Sequence, residues 1–300
     1  MIHGLIILNK PLHLSSHAVV ETVRRWFPKQ KVGHFGTLDP LAEGVLLVGI
    51  GKATKFSDFY MKRKKTYTGC IKFGFATSTY DREGEPVTEK KEIDLRRLDL
   101  EGLLDKFRGE LLQTPPIYSA KKFKGKPLYK YARENKEVEI KPSKVTVYSL
   151  TAEIENHDTL RFTAETSSGT YIRSLAHDIG VQAGCGAYLS ELQRVQVGDF
   201  TLNQAVKPGE VDPNLSSTEL LKMVIPIESL LPEFPKVVVT PAGRRGVLNG
   251  MALEVKDVVS LFNGEDTSLY RIFDEEGRFL ALARKDAVKK QFKPFIVLPA

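Results

Sequence analysis

Residues 33 to 55 read GHFGTLDPLAEGVLLVGIGKATK. One carboxylate, Asp39, sits there in a turn, followed by Pro40 and flanked by Gly36 and Gly44. A turn aspartate ordinarily bonds its own backbone two residues on. An aspartate so framed is either a plain turn residue or one that the turn exists to hold. Other chemistries have little to build on. GIGKAT at 49 to 54 imitates a phosphate-binding loop, but Leu46 stands where that motif needs glycine and Ala53 where it needs Ser or Thr. There is no HExxH and no paired CxxC, so no zinc ligand set is visible. No GxSxG elbow occurs, and the six histidines are scattered. A single aspartate in a rigid turn remains, with no cofactor or metal site beside it.

The formal charge is +7, with an isoelectric point near 9.2. Its distribution is more informative than its size. From Pro116 to Lys144 nine basic residues face three acidic ones, so nearly the whole excess lies in one segment. Tyr118, Phe123, Tyr129 and Tyr131 are interleaved with it. Cations hold a phosphate backbone and aromatic faces receive unstacked bases, a composition suited to single-stranded or loop RNA. A charge run by itself is more often a solvated face. The KRKK at 62 to 65 is a second basic cluster and favours the nucleic-acid reading.

The elements that must position these residues read as a mixed fold. Val19, Val23, Trp26 and Phe27 recur at helical spacing after Ser15 and Ser16, and Pro28 stops the pattern. Tyr67, Ile71, Phe73 and Phe75 share one face of a strand. DREGEP at 81 to 86 is a turn, and VTVYSL, AEIE and LRFTAET read as strands around an Asn156-His157-Asp158 bend. SSGTYIRSLAHDIG changes period: Ile172, Leu175, Ala176 and Ile179 line a helical face that Gly180 is expected to end. Consecutive strands without regular crossover helices predict an α+β fold on an antiparallel or mixed sheet. Prolines between 208 and 235 suggest a boundary near 231 to 236. The short strands beyond it (VVVT, VVSLF, YRIF, FLALA, FIVL), with turns at Gly264 and at 275 to 277, suggest a small β-barrel-like module.

At 300 residues the chain has room for one large domain plus a small one. No apolar run approaches the roughly 20 residues of a membrane span. The N-terminal apolar stretch is too short for a signal core, and Cys70 and Cys185 read as free thiols, so the expected location is the cytoplasm.

These residues carry a resemblance. GHFGTLDPLAEG looks like the signature of the TruB family of tRNA pseudouridine synthases, which isomerise a T-loop uridine of tRNA. ILNKPLHLSSHAVV, KKTYTGCIKFGFATSTYDREGEP, QTPPIYSAKKFKGKPLYKYAREN and SSGTYIRSLAHDIG resemble further blocks of that family at the expected distances. The resemblance implies a pseudouridine-synthase catalytic domain over residues 1 to 232, with 116 to 144 as an insertion that clamps the T-loop. It also implies a PUA-type RNA-binding module over 233 to 300, with Arg244 and Arg245 as candidate phosphate contacts. The implied activity is an intramolecular isomerisation of uridine-55, without cofactor or metal, on a nucleotide flipped out of its stack.

Matched position by position, Asp39 is the family's catalytic aspartate. Tyr67 is implied to stack on the target base, against the plainer reading that it packs with Ile71 and Phe73. Arg173 is implied to pair with Asp39. A cation in a helix's first turn is mildly disfavoured by the helix dipole, which by itself suggests a partner. Tyr171 and Leu192 match substrate-lining positions, His34 an RNA-contacting histidine, and Lys55 a position near the site or its phosphates. Four departures stand out. His13 and Ser15 replace a usual Gly and Thr, Phe35 a small polar residue, and Glu43 a Thr. The chain also lacks the basic extensions of the related guide-RNA enzymes. A stand-alone bacterial-type monomer is therefore expected, binding the tRNA T-stem-loop without guide RNA, obligatory protein partner or membrane. An RNA chaperone that has lost chemistry is the main rival, and intact Asp39, Tyr67 and Arg173 speak against it.

Overall fold

The computed structural model describes residues 2–119, 121–134, 136, 138–212, 215–262, 268–286 and 288–298. A ten-stranded mixed sheet forms its centre. The main path runs Ile225–Pro226, Gly4–Lys10, Ala42–Ile50, Ala187–Val197, Lys65–Phe73, Thr159–Thr166, Ser143–Asn156, Gly109–Gln113. The strand after the Asp39 turn is a continuous apolar run because both of its faces are covered. Its alternate residues divide between two cores, as the two-residue period of a strand requires. Val45 and Leu47 join Leu5, Ile7 and Phe56 on one side, while Leu46, Val48 and Ile50 meet Val19, Val20 and Val23 of the helix Ser16–Trp26 on the other.

Nearly every pairing in this sheet is antiparallel, but Ala187–Val197 runs parallel to Ala42–Ile50, with Leu192 opposite Ala42 and Arg194 opposite Gly44. The same strand pairs antiparallel with Lys65–Phe73, setting Leu192 opposite Gly69 and Arg194 opposite Tyr67. One strand thus lies between the Asp39 turn and Tyr67, residues that the sequence separates widely.

Several expectations need revision. The helix bearing Arg173 does not end at Gly180; it spans Ile172–Gln182. A Cβ at Gly180 would lie 2.1 Å from the Ala187 amide nitrogen, so this glycine permits close packing inside the helix, and the left-handed turn falls at Gly184 and Gly186. VTVYSL and AEIE are one strand, Ser143–Asn156. His13, standing at a usual glycine, takes φ of 65°, the left-handed conformation a glycine would supply there. Phe35 is buried and stacks on Tyr60 at 5.5 Å, with Gly49 leaving room for its ring.

The C-terminal strands form a five-stranded mixed sheet, and among the described residues its path is open, with Val258–Phe262 and Gln291–Val297 at opposite ends. Gly264 lies outside the described residues. A helix unsignalled by the sequence reading, Pro241–Leu248, packs on this sheet behind the Thr240 N-cap. Phe273, Phe279 and Leu282 share a core cluster with Leu5, Val45 and Phe56, so apolar contact is continuous between the two sheets.

Gly44 adopts φ of 108°, and a Cβ there would lie 2.3 Å from the backbone oxygen of Arg194. Neither the angle nor the contact can relax without displacing the parallel pair. Gly44→Ala should therefore destabilise the protein by roughly 2 kcal/mol or more, read as a lowered midpoint in urea or thermal unfolding.

Candidate active site

The turn carrying Asp39 is clamped from three directions. The buried Lys10 ammonium donates to the carbonyls of Pro11 (2.8 Å), Leu14 (2.7 Å) and Pro40 (3.5 Å). Ser16 Oγ donates to Leu38 O at 2.9 Å and accepts from Leu38 N at 2.8 Å. Arg194, fully buried, donates from Nε to Val45 O, from Nη1 to Thr37 O and from Nη2 to Gly36 O. Among the described residues the Asp39 carboxylate bonds no amide of its own turn. The turn is built to hold the side chain, not the reverse.

That carboxylate instead meets Arg173, with Nε 2.9 Å from Oδ2. The N–H is not aimed at the oxygen, so charge more than a directed hydrogen bond holds the pair. The guanidinium has further partners. Its Nη1 lies 3.2 Å from Asp81 Oδ2 and 3.3 Å from Thr79 O, and Nη2 donates to Tyr118 O at 2.9 Å. Asp81 is 2 % exposed and accepts from Thr79 Oγ1 and the Glu83 amide. The helix start is itself pinned: the Gln113 amide accepts from Tyr171 N at 2.8 Å and donates to Tyr171 O at 3.0 Å.

Asp39, Tyr67, Tyr171, Arg173 and Leu192 line one cavity of about 620 Å³, the size range of small-ligand sites, with Lys62, Lys65 and Lys121 at its walls. Asp39 keeps 35 % of its side chain accessible, through the cavity, while protein surrounds its other sides. That enclosure pushes its pKa up; the Arg173 guanidinium pulls it down, Asp81 adds to the rise and Lys10 opposes it. Burial brings the Lys10 and Lys65 ammoniums down to about 8, so both stay largely protonated at neutral pH. Tyr67 belongs to the apolar cluster of Ile71 and Phe73 and also faces the cavity, so its packing and site readings are compatible. Burial raises the Tyr171 hydroxyl pKa.

Two expected members lie apart. His34, on Val32–His34 beside the turn, has a buried Nδ1 without a hydrogen-bond partner among the described residues, and burial together with Arg194 lowers its pKa. It is not among the residues lining the cavity. Lys55 donates to Val297 O at 2.6 Å and lines a separate cleft with Phe59, Arg284 and Phe295; Lys62 belongs to both clefts. Sequence reasoning missed Asp81, read only as part of a turn, and Arg194. An arginine in the alternating stretch LQRVQV was the available signal for the latter. Glu43, the extra acid near Asp39, accepts from Gln193 Nε2 at 2.9 Å. Arg244 lies 3.3 Å from Asp274, so an internal carboxylate already holds it. No group of three or more His, Cys, Asp or Glu converges as a metal site among the described residues.

Solved structures of like architecture define the class. The chain aligns over 99 % of its length, at TM-score 0.70 and 23 % identity, with 84 % of a chain from an H/ACA ribonucleoprotein bound to a substrate RNA containing 2'-deoxyuridine. An archaeal box H/ACA complex gives the same TM-score and identity over 86 % of its chain. This is the pseudouridine-synthase fold, α+β around a large central sheet. Family models for the TruB family pseudouridylate synthase N-terminal domain and the tRNA pseudouridylate synthase B C-terminal domain match residues 24–172 and 173–232. Proteins named tRNA pseudouridine synthase B are 45 % identical over 82 % of this chain and 84 % of theirs (Solibacter usitatus). The corresponding figures are 39 %, 95 % and 91 % for Thermotoga maritima, and 40 %, 93 % and 94 % for Aquifex aeolicus. The chain belongs to the TruB family.

Because burial raises the Asp39 pKa, activity that needs the carboxylate ionised should fall as pH drops through a value above the ordinary carboxylate range. Arg173→Met removes the main cation holding that value down. It should shift this acid limb to higher pH and slow the single-turnover rate by roughly a hundredfold, the scale of a misplaced reacting group. Single-turnover rates measured from acid to neutral pH check both.

Proposed function

We propose that this protein is a tRNA pseudouridine synthase that isomerises the T-loop uridine at position 55. The observation that carries the reading is the Asp39–Arg173 pair in a cavity walled by Tyr67, Tyr171 and Leu192. In the reaction the bond from ribose C1′ to N1 breaks, the freed uracil turns, and C1′ bonds to C5. C5 then gives up its proton to solvent, and N1, freed of the ribose, takes one up. There is no net redox change. The Asp39 carboxylate serves either as nucleophile at C1′ or as base at C2′, and both routes require it ionised beside a flipped nucleotide. Tyr67 stacks on the base, Tyr171 and Leu192 bound the ribose and base, and Arg173 orients Asp39. His34 contacts the RNA from beside the Asp39 turn, outside the cavity. Lys55, on the neighbouring cleft, contacts phosphates outside the cavity.

The basic segment 116 to 144 clamps the T-loop. Its attachment supports this: Tyr118 accepts from Arg173, and Lys121 donates to Ser143 Oγ at 2.5 Å on the cavity wall. Residues 1 to 232 form the catalytic domain and 233 to 300 a PUA-type RNA-binding module. The enzyme acts as a monomer in the cytoplasm, on tRNA alone, without guide RNA. No helix among the described residues is long and apolar enough to cross a membrane.

The test is tritium release from an unmodified tRNA transcript labelled at uridine C5. The parent protein should release the label, Asp39→Ala should release none, and changing the T-loop uridine should abolish release. Failure of the parent despite salt-sensitive tRNA binding would favour a binding or chaperone role.

A further inference from the structure

Tyr80 is a non-glycine residue in the left-handed region, at φ of 63°. A tyrosine holds such a conformation only where its surroundings over-determine it, and such residues gather at functional sites. Its ring stacks on His177, with centroids 3.8 Å apart and planes 18° from parallel. His177 lies four residues after Arg173, one turn along the same helical face. Tyr80 lies between Thr79 and Asp81, the two residues that hold Arg173 Nη1.

The same loop and the same helix therefore meet twice, once through Arg173 and once through the stack. The loop's other anchor is backbone: Leu189 N donates to Tyr80 O at 3.0 Å and Arg82 N donates to Leu189 O at 3.0 Å. That anchor fixes the loop to the strand Ala187–Val197 but leaves its position along the helix to side chains. His177 suits a face-to-face contact. Its Nδ1 is buried with no hydrogen-bond partner among the described residues, and burial keeps the ring neutral. The proposed function uses neither ring, and neither lines the Asp39 cavity.

We propose that the Tyr80–His177 stack is a positioning device for the Asp39 carboxylate: it fixes the loop 77–82 on the arginine helix, so that Thr79 and Asp81 hold the Arg173 guanidinium at ion-pair distance from Asp39. Tyr80 and His177 are positioning residues, acting through Asp81 and Arg173. The inference rests on the reading of Asp39 as the reacting carboxylate.

Tyr80→Gly gives a test in which stability and rate should separate. Glycine removes the ring and relieves the left-handed backbone. The melting temperature should hold or rise, while single-turnover tritium release at saturating tRNA slows by roughly tenfold to a hundredfold, the cost of a displacement near 1 Å at a reacting group. The tRNA dissociation constant should not change, and Tyr80→Phe, which keeps the stack, should restore the parent rate. His177→Ser removes the stack from the other side and should reproduce the slow rate, so the test stands even if one variant fails to fold. Release by Tyr80→Gly and His177→Ser at the parent rate would overturn the proposal. So would a loss confined to tRNA binding, or equal impairment in Tyr80→Phe. Silence from the parent would overturn the functional reading, and this one with it.

Discussion

The site depends on one buried cation. Arg173 is almost fully enclosed, and a guanidinium so placed needs compensation at each of its nitrogens. Asp39, Asp81 and the carbonyls of Thr79 and Tyr118 supply it from separate parts of the chain. Because Arg173 joins these segments, a shift in any of them reaches the Asp39 carboxylate. The second carboxylate matters for balance as well as position. Asp81 raises the Asp39 pKa while Arg173 lowers it, so a single guanidinium is shared between two carboxylates.

A second buried arginine does for the backbone what Arg173 does for the side chain. Arg194 has carbonyls, not carboxylates, as its recorded partners: Val45, Thr37 and Gly36 on either side of the Asp39 turn. Together with Lys10 and Ser16 it leaves the turn's backbone no freedom to relax around the side chain. The parallel pairing of Ala187–Val197 with Ala42–Ile50 makes this possible, because it puts Arg194 beside Gly44 and, across the same strand, opposite Tyr67. A rigid turn and a rigid arginine leave the Asp39 carboxylate held in one orientation, the kind of positioning on which proximity effects depend.

Charge on the 116 to 144 segment is arranged differently. The lysines of the 116 to 144 segment keep to the surface, and several already hold internal partners, such as Lys126 and Lys144 with Glu134 and Glu110. Surface pairs of this kind are weak and screened by salt. Buried charge fixes geometry here, and exposed charge is held only loosely.

The amino-acid sequence by itself determined most of the elements and where a reactive acid could sit. The apolar run after Asp39, the period of the helix at 172 and the alternation around Tyr67 are local patterns that burial enforces, and an acid framed by Pro40 and glycines is visible without coordinates. The Asp39–Arg173 pairing was legible through the family resemblance, and a cation in a helix's first turn, which lacks a local reason to be there, pointed only to some partner. Asp81 was not. In DREGEP it looks like any turn acid, and only the approach of the Arg173 helix buries it. The same holds for Gly180, whose neighbour Ala187 lies across a turn, and for the displacement of Lys55 into another cleft. Local propensity acts over a few residues, whereas burial, charge compensation and close approach depend on which distant segments the sheet order brings together, and only the tertiary structure decided those.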